Sequence, residues 1–273
     1  MKKINMSHRV LVGAIALGTF AIMAANPASA NPSESAGGSS QPGYNAIPSI
    51  VSGNVPSLGF EATQTKEFGD AVGLSGKART LQSMSVLFSS WGCQSGRGPS
   101  CMTTPGATFD VPMTFTVYAA SAGIPGAVLS TLTKTVPVLY RPSASAECAN
   151  PDGSLTGQWY NSKDRSCYNG YPQTVSMDLP GATLTDQVIW SVKFNTSHHG
   201  DSPVGETPAC YATLAGCGYD SLNVGVWSFP KAPFSGTDLD ENQVFRNGVI
   251  ETGTTIDPWT GFRPLGAITT TVK

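Results

Sequence analysis

The chain predicts an all-β fold: an antiparallel β-sandwich of jelly-roll type, with long loops pinned by disulfides. Three observations carry that prediction. Short runs alternate apolar and polar residues with period two, the mark of half-buried strands. Beyond the first thirty residues no window repeats apolar residues at i, i+3 and i+4 over three turns, and 20 prolines spread through the chain oppose long helices. Six cysteines fall into three near-neighbour couples, all downstream of an export-like segment.

Taken in order, the chain starts with Lys2, Lys3 and Arg9, an apolar run over 10–25, and Ala28-Ser29-Ala30. Charged head, apolar middle and small-residue exit predict a cleavable secretory signal over 1–30. The apolar run is shorter than the roughly 20 residues that span a bilayer, so no membrane association is expected after cleavage. Residues 31–43 (NPSESAGGSSQPG) predict a flexible Ser/Gly/Pro-rich tail. Residues 44–273 show neither a repeat nor a change of composition and predict a single β-sandwich domain.

Strands are expected near 58–63 and 68–74, and where Met84, Val86 and Phe88 alternate with polar neighbours. The clearest strand is 113–119, with Met113, Phe115 and Val117 on one side and Thr114, Thr116 and Tyr118 on the other. Further strands are expected near 129–139, at Val175–Leu179, at Val188–Phe194, at Leu222–Trp227 and near 266–272.

Composition narrows the partners. Charged residues make up 12% of the chain. The signal holds three basic residues and no acidic one, so its removal takes the formal charge from −2 to −5. A mildly acidic chain without a basic patch predicts no nucleic-acid partner.

Six cysteines in an exported chain predict a disulfide framework. Fifteen pairings exist. The sequential set, Cys93–Cys101, Cys148–Cys167 and Cys210–Cys217, is expected because each couple brackets a polar, turn-rich loop. A metal site is disfavoured: no C-x-x-C occurs, and the histidines are not interleaved with the cysteines.

Candidate chemistry is sparse. G-x-S-x-G, H-E-x-x-H and G-x-G-x-x-G are all missing from the sequence. His198 and His199 could chelate or serve as a base with Asp201, although two ligands fall short of a stable metal site. Glu67 and Asp70 could form the carboxylate couple of a hydrolase. No cofactor is expected; if the chain holds a metal, the candidates are Asp238, Asp240 and Glu241 around a structural Ca²⁺, whose hard character suits oxygen ligands. Trp91, Trp159, Tyr160 and Tyr168 lie beside or within the cysteine loops. Such aromatics can stack on sugar rings or pack over the disulfides as small satellite cores, and the packing role is favoured.

Several segments together, PSLGFEATQTKEFGD (56–70), SSWGCQ (89–94), YRPSASAEC (140–148), CGYDSLNVG (217–225) and WTGFRP (259–264), resemble a family of secreted bacterial proteins with a signal peptide and a disulfide-bearing β domain. The resemblance implies secretion and fold class and supplies no catalytic residues. The stretch VYAASAGIPGAVLS (117–130) is similar to a strand–turn–strand unit in extracellular jelly-roll domains of bacterial surface proteins, with Gly123, Pro125 and Gly126 at the turn. Domains of that kind are non-catalytic binding or structural modules. The sequence therefore predicts a secreted, non-enzymatic domain for adhesion, surface association or glycan binding. Its partner would be an extracellular glycan or a cell-surface component. The competing expectations are a carboxylate-dependent secreted hydrolase and a ligand-free structural component of a surface or matrix.

Overall fold

The computed structural model describes residues 39–51, 53–60, 63–179, 181–195, 222–228, 233–252 and 262–272. Two antiparallel sheets face each other across an apolar core. The first contains β1 (Ser40–Asn45), β2 (Ser57–Gly59), β4 (Thr80–Ser90), β9 (Tyr171–Asp178), β11 (Leu222–Ser228), β15 (Phe262–Pro264) and β16 (Gly266–Thr271). The second contains β3 (Glu67–Gly73), β5 (Thr108–Ser121), β6 (Ile124–Leu139), β10 (Gln187–Lys193), β12 (Thr237–Asp238), β13 (Gln243–Arg246) and β14 (Val249–Thr252). A separate hairpin joins β7 (Trp159–Asn161) to β8 (Ser166–Tyr168). Among the described residues the helical segments are two 3₁₀ turns, Gly98–Ser100 and Ala146–Cys148.

Period-two alternation sets the layers. Val111, Met113, Phe115 and Val117 of β5 point inward and are fully buried, as are Val188, Trp190 and Val192 of β10. They meet Met84, Val86 and Phe88 of β4, Val224 of β11 and Ile268 of β16 from the opposite sheet. On the solvent side of the first sheet, the Ser85 and Ser176 hydroxyls meet at 2.7 Å.

Strand β4 is the spine of the first sheet. It pairs with β9 on one edge and with β16 and then β11 on the other. Leu265 splices the two halves of that second edge, donating to Gly225 O and accepting from Leu87 N. Trp190 lies against Gly266 of the facing sheet, where an added Cβ would come within 2.4 Å of the indole, so β16 must offer a bare backbone there.

Both open sides of the sandwich are stitched. On one side β1 exchanges hydrogen bonds with the segment leading into β12: Asn45 N donates to Ser235 O at 2.9 Å, and Phe234 N to Asn45 O at 2.7 Å. On the other, the Gln173 side chain of β9 reaches the free edge of β6.

The expected strands are present, but the tail predicted over 31–43 is too long. Residues 40–43 belong to β1, which pairs with β16 through a bulge between Pro42 and Tyr44. A sheet edge tolerates Pro42, whose missing N–H is needed by no neighbour, and the Ser/Gly/Pro composition conceals the strand. The β7–β8 hairpin and the strands β12 to β15, none longer than four residues, are too short to show the period; β1 is hidden by its Ser/Gly/Pro composition.

Candidate functional site

Among the described residues, a set of charged and hydroxyl side chains collects on the outer face of the second sheet. The register of four strands writes it in rows. Glu67, Lys193, Thr114 and Thr133 stand directly opposite one another across β3, β10, β5 and β6. Two residues along, Gly69, Ser191, Thr116 and Thr131 form the second row, and Ala71, Ile189, Tyr118 and Val128 the third.

The third row is roofed. β12 and β13 both pair with β3 at the sheet edge, and Leu239, Phe245 and Ile250 pack on Ala71 and Ile189 over the outer face. The Tyr118 ring lies 5.4 Å from that of Phe245, and β14 reaches β6 at the far edge. An Arg246–Glu251 ion pair at 2.8 Å ties the β13–β14 ribbon together. The first row stays open, with Lys193 and Thr133 exposed to water; in the second Ser191 and Thr116 are buried and Thr131 is exposed.

Glu67 sits at the junction of roof and open field and is held from two directions. Asn247, in the turn of the β13–β14 hairpin, accepts from Lys66 N at 2.7 Å and donates its own N–H to Glu67 O at 2.9 Å. The Glu67 carboxylate accepts from the Tyr118 hydroxyl at 2.8 Å and the Ser191 hydroxyl at 2.6 Å. Burial pushes the Tyr118 phenol up to about 12, and the Glu67 hydrogen bond and charge add to that rise. Hydroxyl pairs continue the field: Thr116 with Thr131 at 3.1 Å and Thr114 with Thr133 at 2.8 Å. The result is a fixed carboxylate, an exposed ammonium and paired hydroxyls on a rigid sheet, donors and acceptors suited to a polyhydroxylated ligand.

The sequence-predicted residues fare differently. Glu67 and Asp70 do not form a couple, because alternation along β3 sends Glu67 to the outer face and Asp70 into the core. One Asp70 oxygen accepts from Ala71 N at 2.9 Å. Burial, then the charge of Asp238, holds the Asp70 carboxyl well above the usual carboxylate range. Tyr44, in the field of the same groups, is raised as well, chiefly by burial.

Asp238, Asp240 and Glu241 do not converge on an ion site. Asp238 turns inward to Arg263 at 3.3 Å, with both side chains nearly inaccessible, and its other oxygen accepts from Asp240 N. Asp240 in turn accepts from Asn242 N. Burial raises the Asp238 carboxyl despite the guanidinium beside it. Among the described residues no group of three or more His, Cys, Asp or Glu is arranged to hold a metal.

The disulfides Cys93–Cys101 and Cys148–Cys167 form as expected; Cys210 and Cys217 lie outside the described residues, as do His198 and His199. The loop aromatics pack. Trp159 is buried between Tyr168 and Tyr171, each 5.5 Å away, and its indole donates to Gly170 O at 2.8 Å. A Cβ on Gly170 would stand 2.9 Å from Trp91 Nε1, so both tryptophans close on one glycine. Tyr168 donates to Asp164 at 2.8 Å, and Tyr160 is half-buried on the same hairpin. Sequence reasoning missed Ser191, Lys193 and the threonine pairs. Their one visible signal was the hydroxyl-rich side of strands read chiefly for their apolar faces.

No protein-family model matches the chain. No curated protein matches it either.

Proposed function

We propose that this chain is a secreted, non-catalytic domain that binds a hydroxyl-rich glycan on the outer face of its second sheet, as part of adhesion or surface association. The observation that carries the reading is the pre-oriented Glu67 carboxylate at the head of the open Lys193–Thr114–Thr133 row. A sugar offers hydroxyls that donate to a fixed carboxylate and accept from an ammonium, and a rigid sheet spares the ordering cost that a loop site would incur. Two disulfides accord with an oxidising, extracellular compartment, as does the signal-like start of the chain. The inward turn of Asp70 removes it as the partner carboxylate that glycoside hydrolysis would need beside Glu67, which favours binding over turnover.

A glycan panel followed by calorimetry tests the reading. Glu67→Ala and Thr114→Val should each weaken the glycan retained by the wild-type chain, Glu67→Ala by about ten-fold or more, since a hydrogen bond to a charged group is worth about 1.5–3 kcal/mol. Trp159→Ala, a packing change remote from the rows, serves as the contrast. Unchanged affinity in both row variants would defeat the proposal.

A further inference from the structure

Among the described residues, strand β6 has a neighbour on one edge only. The direction of its backbone groups follows from two ends of the same strand. Tyr140 N donates to Ala107 O, so even-numbered residues turn their N–H and C=O toward β5. Leu139 N instead donates to the Gln173 side chain at 2.7 Å, and Pro137 O accepts from the same amide at 3.4 Å. Odd-numbered residues therefore face the free edge. Pro137, which has no N–H to offer, stands at one of those positions.

No register shift interrupts the pairing with β5 between residues 130 and 139, so Thr131, Thr133 and Thr135 present their N–H and C=O outward. All three are exposed. The cross-strand hydroxyl contacts Thr114–Thr133 and Thr116–Thr131 fit this phase, since side chains approach closest at the pairs that exchange no backbone bond. The open stretch is bounded by the irregularity after Ser130 on one side and by the Gln173 clamp after Val136 on the other. Its centre is Thr133.

We infer that this edge pairs antiparallel with the same edge of a second copy of the chain, on a two-fold axis through Thr133. In that register Thr131 meets Thr135 of the other copy, and Thr133 meets itself. Three opposed pairs then exchange two hydrogen bonds each. The charge pattern selects this occupant. Lys134 is the sole charged residue of β6, and the dyad sets each Lys134 opposite Leu132 of the other copy. The lysine stem then covers a leucine that is 37% exposed, and neither ammonium faces its equal. A stretch this short covers less than a standard stable interface, so the dimer is a concentration-dependent one. The pairing needs no ligand on the outer face.

Sedimentation velocity of the purified chain across a concentration series tests it. The wild-type sedimentation coefficient should rise with concentration toward the dimer value, and amide exchange at Thr131, Thr133 and Thr135 should slow in step. Thr133→Pro removes an N–H that points away from β5, so the fold survives while the concentration dependence disappears. Thr133→Val keeps the N–H and should keep the dimer. A wild-type chain that is monomeric at every concentration overturns the inference. So does undiminished association of Thr133→Pro, or protection of the Thr133 amide that appears only when a foreign protein is added.

Discussion

Glu67 and Asp70 stand three positions apart on one strand and meet opposite environments, one holding a solvent-edge carboxylate between two hydroxyls, the other buried in the core within the field of Asp238 and Arg263. The buried one shapes the response to pH. An unfolded chain ionises Asp70 near 3.9, whereas the folded chain keeps its proton to a higher pH. Its stabilising contribution is therefore fully present below about pH 4 and is lost as pH rises toward the folded value, by about 1.4 kcal/mol per pH unit for each proton retained. Asp70→Asn should remove that slope. Urea unfolding at pH 4 and pH 8 should show the variant gaining on the wild type at the higher pH, and an equal difference at both would refute the assignment. Nothing in EFGD announces which carboxylate is inside, because one residue of register decides it.

The disulfide loops behave as elements of their own. The Cys148–Cys167 bridge closes a loop that contains the β7–β8 hairpin, and Trp159 gives that loop a small core between two tyrosines. The loop is also tied to its neighbours, since Ser145 N donates to Gln158 O and Ala144 N to Cys101 O. Replacing both cysteines with serine should cost about 3 kcal/mol, the scale for a loop near this length. The loss should begin locally: Trp159 fluorescence should shift at lower denaturant than the far-ultraviolet signal of the sheets. Coincident transitions would mean that the loop and sandwich unfold as one unit. The pairing was legible in the sequence because near-neighbour cysteines around a turn-rich loop leave little else to reach. The packing of the aromatics was legible as an expectation, since a long loop needs something to bury.

Among the described residues, one buried ion pair joins the two sheets. Arg263 belongs to β15 of the first sheet and Asp238 to β12 of the second, and their side chains are 2% and 4% exposed. Removing one partner strands a charge in the core. Arg263→Met alone should therefore cost about 3–5 kcal/mol, and the double change with Asp238→Leu should recover most of that loss. Chemical denaturation of the three proteins decides the matter; a double variant as weak as the single one would show that the pair itself holds the sheets together.

By itself the sequence pointed to the fold class, the longer strands and the two described disulfides, Cys93–Cys101 and Cys148–Cys167. Each depends on residues close in the chain: Met113, Phe115 and Val117 declare an inner face by alternation alone, and Cys93 lies eight positions from Cys101. The tertiary structure alone decided the outer face of the second sheet. The Glu67–Lys193–Thr114–Thr133 row draws one residue from each of four strands scattered over the sequence. Its existence depends on strand order and register, which non-local backbone pairing sets and no local pattern encodes. The roof of Leu239, Phe245 and Ile250 follows from the same cause, as an apolar row left on the outer face can be buried only by a distant segment folded over it.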